Sequence, residues 1–569
     1  MYILGISCYY HDAAAVLIKD GKVIAAVEEE RLSRIKHDAS FPKHAIDFCL
    51  TEGNITKKDI DYIVFYEKPF RKFHRILLSA LSTYPNSYAA FREAMLVWLT
   101  KKLWIKDEIA DYLSFPTEKI LFSEHHTSHA ASCFYPSPFK KSAILTVDGV
   151  GEWATASYGI GEENKITLLA ELRYPQSLGL LYSAFTAFLG FEVNEGEWKV
   201  MGLAPYGKPR YVDKIQKIVR QLADGSFSLD LSYFSFHYSE TCSYSKKFIE
   251  LFGESVSPKD AHRISRRSAD IAASIQVVIE ELLLSLVRHV QKMTQCKNLC
   301  LAGGVALNSV ANYRILKEGG FKGVYIQPAA GDSGGALGAA LYLHHHILKG
   351  EKREQMVHAC WGRGYSQSEI TSFLKNERIP FTPFSQSKLV SYLASHISEG
   401  KVIGFFQGKF EWGPRALGNR SILADGRNPK MKDIINSKVK FRESFRPFAP
   451  SVLAEKAHLV FDLPKNPKSH LPLRFMQYVV PVKKEWRKRV PAITHKDNSA
   501  RPQLVFGDEN PFYHALLLAF YKKTGVPLIL NTSFNLRGEP IVSSPHDAYS
   551  TFKRSGIDIL VLGRCVVEK

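Results

Sequence analysis

The order of apolar runs and glycine-punctuated turns predicts an α/β protein of more than one domain. Three observations carry that expectation. The chain opens with three short strand-like runs, at residues 2–7, 15–18 and 23–28, the last two joined by an Asp20-Gly21 hairpin turn. Further on, a strand-like run twice ends in a Gly-rich turn that opens a helix, first across residues 299–308 and again across residues 324–343. Finally, 569 residues exceed what a single core holds, so two to four domains are expected.

Bulk properties narrow the class. Hydrophobic residues make up 45% of the chain and aromatics 12%, the balance of a globular protein. The net charge of +19 admits nucleic acid, acidic membrane or phosphorylated ligands. Most of the Lys and Arg is scattered, however, with dense groups only at residues 208–220 and 483–489. A basic solvated surface accounts for this pattern, and neither nucleic acid nor membrane is expected as a partner. The eight cysteines lack paired CxxC spacing; Cys296 and Cys300 are four apart, but residues 299–302 read as a buried strand, so they read as core thiols of a reducing compartment. The N-terminus reads as a strand without a charged leader, and the apolar stretch 271–290 is interrupted by Glu280, Glu281 and Arg288. A cytoplasmic location is expected.

The first three strands, a helix at residues 44–52 and a strand at 62–66 suggest a ribonuclease-H-like lobe, with the polar turn His11-Asp12 between its first two strands. Residues 68–112 carry apolar groups at helical spacing (Phe91, Met95, Leu96, Leu99, Leu103) and read as an inserted helical pair. That pair either packs into the core, covers a pocket or packs between subunits.

Next come a strand at 120–122, a helix at 124–135 and a strand at 143–147. In that helix His125 and His129 stand at i and i+4 and share a face, and the following strand ends at Asp148. Two imidazoles and a carboxylate converging from a helix and a strand end form a candidate divalent-metal site; the alternative is a buried polar pair. Gly149 after Asp148 would admit backbone N–H groups to a phosphate. The alternating run 152–160 then repeats the opening pattern of strand, polar turn and strand, a faint duplication signal.

A long amphipathic helix is expected over residues 268–290, with Ile271, Ile275, Val278, Leu282 and Leu286 on one stripe. Strand 299–302 leads into Gly303-Gly304-Val305-Ala306-Leu307-Asn308, and strand 324–327 into Gly331-Asp332-Ser333-Gly334-Gly335 and an Ala-rich helix at 336–343. Both turns suit nucleotide phosphate at a helix start, and Asp332 offers a fourth ligand to the metal. His344, His345 and His346 at the far end of that helix are expected to be exposed. Residues 349–356 are charged and aperiodic, which marks a boundary. Beyond it, a helix at 387–398 and a strand at 402–406 precede Glu411-Trp412-Gly413-Pro414-Arg415-Ala416-Leu417-Gly418-Asn419-Arg420, then Lys440, Arg442, Arg446, Arg501 and a strand ending in Asn531-Thr532-Ser533. Guanidiniums on Gly/Pro turns suit a compact oxyanion, though Arg415 and Arg420 could equally be structural. Ser544 and Pro545 cap a last helix.

Nine motifs then carry a resemblance: GISCYYHDAAAV, HHTSHAAS with TVDG, KVMGLAPYG, LAGGVALN, GDSGGALGAA, GPRALGNRSILADGRNP, KFRESFRPFAPSV, ARPQ and NTSFNLRGEPIV. In this order, across nearly the whole chain, they resemble the O-carbamoyltransferases of antibiotic and nodulation-factor biosynthesis. The resemblance implies an N-terminal ASKHA-type domain at 1–348, built of duplicated ribonuclease-H-like lobes like the KEOPS transferase, and a C-terminal YrdC-like α/β domain at 357–569. It implies ATP and carbamoyl phosphate as co-substrates, with Mg2+ on the ATP, a carbamoyl adenylate, and transfer of the carbamoyl group to a hydroxylated small molecule. His125, His129, Asp148 and Asp332 match the family's metal ligands, with iron favoured and zinc or manganese suited to the same donors. His11 matches an acceptor-side base acting near its ordinary pKa, and Lys36 an acceptor-side cation. Arg415, Lys440 and Arg446, with Arg501 and Ser533, match the activation site; Gly303, Gly304 and Asn308 match the nucleotide loop. Trp198 stands where many relatives have a smaller residue, which changes the acceptor side. A homodimer is a family expectation. The competing classes are a tRNA threonylcarbamoyl-type transferase and an ASKHA sugar kinase or chaperone-like protein. The kinase and chaperone readings leave the histidines and the second domain without a role.

Overall fold

The computed structural model describes every residue of the chain except Ser444. The chain forms two compact units. One holds residues 1–29 and 39–355, the other residues 30–38 and 356–569.

In the first unit, β1 (Tyr2–Ser7), β2 (Ala14–Lys19) and β3 (Lys22–Glu28) form antiparallel hairpins, and β4 (Tyr62–Phe65) and β5 (Ile120–Phe122) add in parallel beyond β1. The sheet order is β3-β2-β1-β4-β5. The second sheet is built the same way. Strand β6 (Lys141–Val147) is antiparallel to β7 (Ala154–Glu162), β7 is antiparallel to β8 (Lys165–Arg173), and two strands add in parallel beyond β6. Between these pieces lies a small hairpin of β9 (Val219–Gln221) and β10 (Phe227–Leu229). The added parallel strands are β11 (Asn298–Ala302) and β12 (Gly323–Tyr325), which complete the order β8-β7-β6-β11-β12. Identical order and direction in both sheets make this unit a duplicated ribonuclease-H-like pair, the ASKHA architecture.

Two helices, His125–Phe134 and Ser333–Tyr342, are buried along nearly their whole length, as their small and apolar residues require. They approach so closely that a Cβ on Gly338 would fall 1.7 Å from the carbonyl oxygen of Ser128. Likewise, a Cβ on Gly5 of β1 would fall 2.0 Å from the Ala336 oxygen. The Gly/Ala composition of this segment therefore answers to packing. Glu29 caps another helix, Lys43–Glu52: its carboxylate accepts from the N–H groups of His44 and Ala45 at 3.2 and 2.7 Å.

Two expectations change here. The inserted segment contains three helices, Pro69–Ser82, Tyr88–Thr100 and Ile105–Leu113, where a pair was expected. Only Trp98 of the Tyr88–Thr100 helix is buried, while Phe70, Leu81, Leu96, Leu99 and Trp104 face outward. The histidines after the Ala-rich helix are not exposed. His344 and His345 are buried, and the helix widens there into a π turn where His345 packs on Tyr135 and shares a 2.8 Å hydrogen bond with the Gly350 carbonyl.

The second unit is organised on one mixed sheet of eight strands, the α/β architecture expected. Its members are β13 (Thr382–Pro383), β14 (Ile403–Phe406), β15 (Arg420–Ala424), β16 (Ala449–Leu453), β19 (Gln503–Val505), β20 (Leu528–Ser533), β21 (Ile559–Leu562) and β22 (Cys565–Glu568); a separate pair is β17 (Val480–Pro481) and β18 (Ser499–Ala500). The order is β13-β22-β21-β14-β15-β20-β16-β19. The segment 30–38 is tied to this unit by its arginines. Arg31 donates to the Gly413 carbonyl at 2.8 Å, and Arg34 to those of Ile541 and Pro540 at 2.6 and 3.0 Å. Ser544 and Asp547 form a reciprocal capping box on the Pro545–Lys553 helix. Among the described residues no helix is long and apolar enough to cross a membrane.

Candidate metal centre and anion site

His125 and His129 leave the same face of the His125–Phe134 helix, Asp148 follows the last residue of β6, and Asp332 starts the Ser333–Tyr342 helix. The helix crossing permitted by Gly338 brings Asp332 under the two imidazoles. His125 Nε2 lies 3.0 Å from Asp148 Oδ2 and 3.1 Å from His129 Nε2; Asp332 Oδ1 lies 3.4 Å from His129 Nε2 and 3.7 Å from His125 Nε2. All four residues are at most 5% exposed.

Three features show that the set fits a divalent ion. Its donor atoms all lie within 4.8 Å of one another. Metal–ligand bonds of about 2.1 Å would place neighbouring donors roughly 3.0–3.5 Å apart, the spacing seen here. Asp332 occupies a helix N-cap, where Asp ordinarily accepts an N–H, yet neither carboxylate oxygen accepts any hydrogen bond. Such a buried orphan is expensive unless a cation completes it. The surroundings orient the donors. Gly304 N–H donates to Asp148 Oδ1 at 2.8 Å, and Glu152 accepts the His125 backbone N–H at 3.0 Å. Glu67, paired with Lys72 at 2.6 Å, stands 3.8 Å from His125 Nδ1.

Electrostatics point the same way. Burial disfavours the His125 imidazolium, but Asp332, Asp148 and Glu67 outweigh it and raise the pKa well above the ordinary value. Burial also opposes the Asp148 carboxylate, but His125 and His129 hold its pKa well down. His126 stands apart: its Nδ1 meets Thr146 Oγ1 at 2.6 Å, and burial with the neighbouring imidazoles takes it down to about 3, so it stays neutral. His11 faces the same charges. Burial lowers its pKa, yet the Asp12 hydrogen bond at 3.2 Å and the charges of Asp332 and Asp148 raise it to about 9. Its pKa is thus not near the ordinary value while those carboxylates are uncompensated.

The glycine loops have jobs within the fold. Gly303 has φ +97°, and a Cβ there would meet the Val147 carbonyl at 2.2 Å, so the loop lies directly on β6. Gly304 uses its N–H on Asp148, and Asn308 Oδ1 caps Ala311 N–H at 3.2 Å while pairing with Gln276. In the second turn, Cβ atoms on Gly334 and Gly335 would meet the Ala329 carbonyl and the Tyr66 ring.

In the second unit a cationic cluster forms at the ends of β15 and β20. Lys440 is buried and donates to Ser533 Oγ at 3.1 Å, Asn535 Oδ1 at 2.7 Å and the Asn535 carbonyl at 3.0 Å, which fixes the end of β20. Burial lowers its pKa well below the ordinary value, and Arg442, Arg446 and Lys36 lower it further. Lys36 thus belongs to the same unit as Lys440 and acts on it through its charge, in the unit other than the one the acceptor-side expectation implied. Burial, Arg415 and Arg442 also lower Arg501. Arg446 pairs with Glu443 at 3.0 Å. Arg415 and Arg501 pair with no carboxylate among the described residues, and their Nε atoms make no hydrogen bond. Arg420, five residues from Arg415, is the structural one. It is fully buried, stacks 3.6 Å over Phe406 and donates to the carbonyls of Gln407, Gly408, Asn419 and Arg363. Arg442 enters this cluster too: its guanidinium lies 4.4 Å over Phe448, with Nη2 unbonded.

Residues 2–341 match the family described as "Carbamoyltransferase N-terminus", and residues 394–569 match "Carbamoyltransferase C-terminus". An uncharacterized protein of Synechocystis sp. is 47% identical, covering 100% of this chain and 97% of its own. Nodulation protein NolNO of Sinorhizobium fredii is 38% identical over 99% of this chain and 79% of its own. Among solved structures, HypF of T. kodakarensis has 16% identity and a TM-score of 0.33 over 62% of this chain and 49% of its own. At that level of likeness, the fold assignment rests on the sheet topology described above. With both family halves matched in order, the chain belongs to the carbamoyltransferase family and is a carbamoyltransferase.

Proposed function

We propose that this protein is an ATP-dependent O-carbamoyltransferase acting on a hydroxyl of a small natural product. The observation that carries the reading is the cationic cluster of Arg415, Lys440, Arg442, Arg446 and Arg501, whose partners include few acids. Two highly anionic substrates, carbamoyl phosphate and ATP, would supply the missing charge. Water cleaves carbamoyl phosphate to carbamate and phosphate. A carbamate oxygen then attacks the α-phosphorus of Mg2+-bound ATP, pyrophosphate leaves, and carbamoyl adenylate results. The acceptor hydroxyl gives up its proton and forms the new C–O bond, and AMP leaves with the electrons of the broken acyl–oxygen bond.

Arg415, Arg446 and Arg501 hold the phosphates, and Lys440 keeps Ser533 at the same site. In the first unit His125, His129, Asp148 and Asp332 would hold a divalent ion, with iron favoured and zinc or manganese compatible with the donors; it would act as a Lewis acid toward the adenylate. His11 accepts the acceptor's proton. The Asp12 hydrogen bond and the Asp332 and Asp148 charges favour the His11 imidazolium; an ion held by the cluster would offset the last two and shift His11 towards the neutral base. Gly303, Gly304 and Asn308 border the nucleotide. The outward apolar side chains Phe70, Leu81, Leu96 and Leu99 support the homodimer expectation, testable by sedimentation. The experiment for the chemistry is carbamoyl-phosphate-dependent ATP–pyrophosphate exchange, which needs no acceptor. Exchange without carbamoyl phosphate, or none with it, overturns the reading.

A further inference from the structure

The first unit contains a cavity of about 560 Å³ lined by Phe70, Arg71, His74, Trp153, Arg173 and Tyr174. Its walls are tethered to the start of the helix that carries His125 and His129. Glu152, which precedes Trp153, accepts the backbone N–H groups of His125 at 3.0 Å and of Lys68 at 2.8 Å. Glu124, the N-cap of that helix, is paired with Arg71 and with Lys68. On the far side, Tyr174 N–H donates to the Trp153 carbonyl at 2.8 Å.

The chemistry of the lining is one-sided. Three aromatic rings, two arginines and a histidine line the cavity and no carboxylate does, although Arg173 is paired with Glu171 at 2.6 Å. Lys68 and Arg71 share the one carboxylate of Glu124. Behind Tyr174 sits Arg75, 7% exposed, its guanidinium 4.8 Å over the tyrosine ring. Its Nε makes no hydrogen bond, and no carboxylate lies within ion-pair distance of it among the described residues. The charges of Glu67 and Glu152 reach it without forming an ion pair, and burial still lowers its pKa, so an anionic ligand nearby is favoured. Aromatic faces bind the apolar faces of a ring, and arginine forks bind oxyanions.

We propose that this cavity receives the hydroxylated acceptor, and that the acceptor is a cyclic polyol or sugar bearing an oxyanionic group: a carboxylate, a sulfate or a phosphate monoester. The assignment rests on the O-carbamoyltransferase reading only for the word acceptor; the ligand class rests on the cavity. Arg71 and Arg173 hold the oxyanion at the rim, and Trp153 and Tyr174 hold the ring.

The test uses the full chain loaded with divalent metal and four probes of matched ring size: glucose, glucosamine, glucuronate and glucose 6-sulfate. Binding is read by quenching of tryptophan fluorescence, with Trp153→Phe as the reporter control. Transfer is read by AMP release and by the mass of the carbamoylated product, and carbamoyl-phosphate-dependent exchange is measured in parallel. The expected result is that glucuronate and glucose 6-sulfate bind at least tenfold more tightly than glucose, and glucosamine more weakly still. The Trp153→Phe variant should lose most of the quenching signal. Arg173→Glu should reverse the order of the charged probes, with circular dichroism confirming the fold. The ranking of carboxylate against sulfate identifies which oxyanion the rim prefers. Equal or better binding of the neutral or cationic probe overturns the proposal, as does an unchanged order in Arg173→Glu. Failure of exchange while anions still bind overturns the carbamoyl-transfer reading and leaves the ligand class standing.

Discussion

His125 Nε2 and His129 Nε2 lie 3.1 Å apart, inside a shell where Asp148 and Asp332 also approach. At that distance two imidazole nitrogens cannot both present protons: either one donates to the lone pair of the other, or a cation lies between the two lone pairs. The arrangement is expected to load with a divalent ion. His129→Ala should lower bound metal to background by elemental analysis and abolish carbamoyl transfer. Metal retained near one equivalent would sink the ligand assignment.

The layer behind the ligands gives a graded version of the same test. Glu67 stands 3.8 Å from His125 Nδ1 and is held by Lys72. Outer-shell partners of this kind are worth roughly 10- to 100-fold in metal affinity. Glu67→Gln keeps the shape and removes the charge, so it should weaken metal binding by about that factor in a chelator competition; it also leaves Lys72 buried without its partner, so Tm should fall as well. An unchanged affinity would show that Glu67 serves only Lys72.

The electrostatics fix the sign of a pH dependence. The His125 imidazolium is stabilised in the folded, ion-free protein, its pKa raised well above the ordinary value against the pull of burial. A ligand imidazole must be neutral, so metal entry releases that proton, and affinity rises with pH until the raised pKa is passed. Titration calorimetry at pH 7 in buffers of different ionisation heat should therefore show proton release on metal binding. For the ion-free protein the same raised pKa contributes stability fully present below the unfolded value and lost as pH climbs through the folded one. Metal-free protein should consequently lose Tm at alkaline pH, and metal-loaded protein should lose less.

Arg415 and Arg420 separate on stability and activity. Arg420 bonds four carbonyl groups from a fully buried position, so Arg420→Ala should cost about 3 kcal/mol or more. Arg415 has no carboxylate partner, and burial takes its pKa down to about 10. Removing a half-buried cation that pairs with no acid costs the fold little, so Arg415→Ala should leave Tm nearly unchanged or raised. Carbamoyl-phosphate-dependent exchange should fall at least about 100-fold in that variant, the cost of a phosphate clamp that acts chiefly in the transition state.

These arginines also mark where sequence reading stops. The spacing of His125 and His129 and the strand end at Asp148 were legible because i, i+4 periodicity and strand termination are local. The duplication was visible only as a repeated strand, turn and strand, yet both sheets have the same order. Other features depended on tertiary neighbours. A glycine run serves equally to cradle a phosphate or to let helices touch, since both need the missing Cβ; Gly334, Gly335 and Gly338 serve packing. Segment 30–38 follows β3 in sequence but belongs to the second unit through Arg31 and Arg34, which no local pattern encodes. Lys36 moved with it. Arg75 sits in a helix without any motif, and its burial beneath Tyr174 is a tertiary property that no local pattern encodes.

The close helix crossing makes the last prediction, because it links packing to the metal directly. Asp332 reaches His129 only because the Ser333–Tyr342 helix lies against the His125–Phe134 helix, with the Cα of Gly338 against the Ser128 carbonyl. A side chain there has no room: its Cβ would fall 1.7 Å from that oxygen and 2.9 Å from the Ser132 nitrogen. Both obstacles are backbone, so the helices must separate. Overpacking of this kind costs about 1–3 kcal/mol or more. Gly338→Val should therefore lower Tm and, by drawing Asp332 away, lower metal affinity as well, although position 338 touches no ligand. Gly331→Ala is the matched control: it lies one residue from Asp332, but its Cβ would meet nothing nearer than Leu307 at 3.9 Å. It should keep both Tm and metal. If Gly338→Val loses stability but binds metal with wild-type affinity, the link from the crossing to the metal fails: either Asp332 is not held by the crossing, or it is not a ligand.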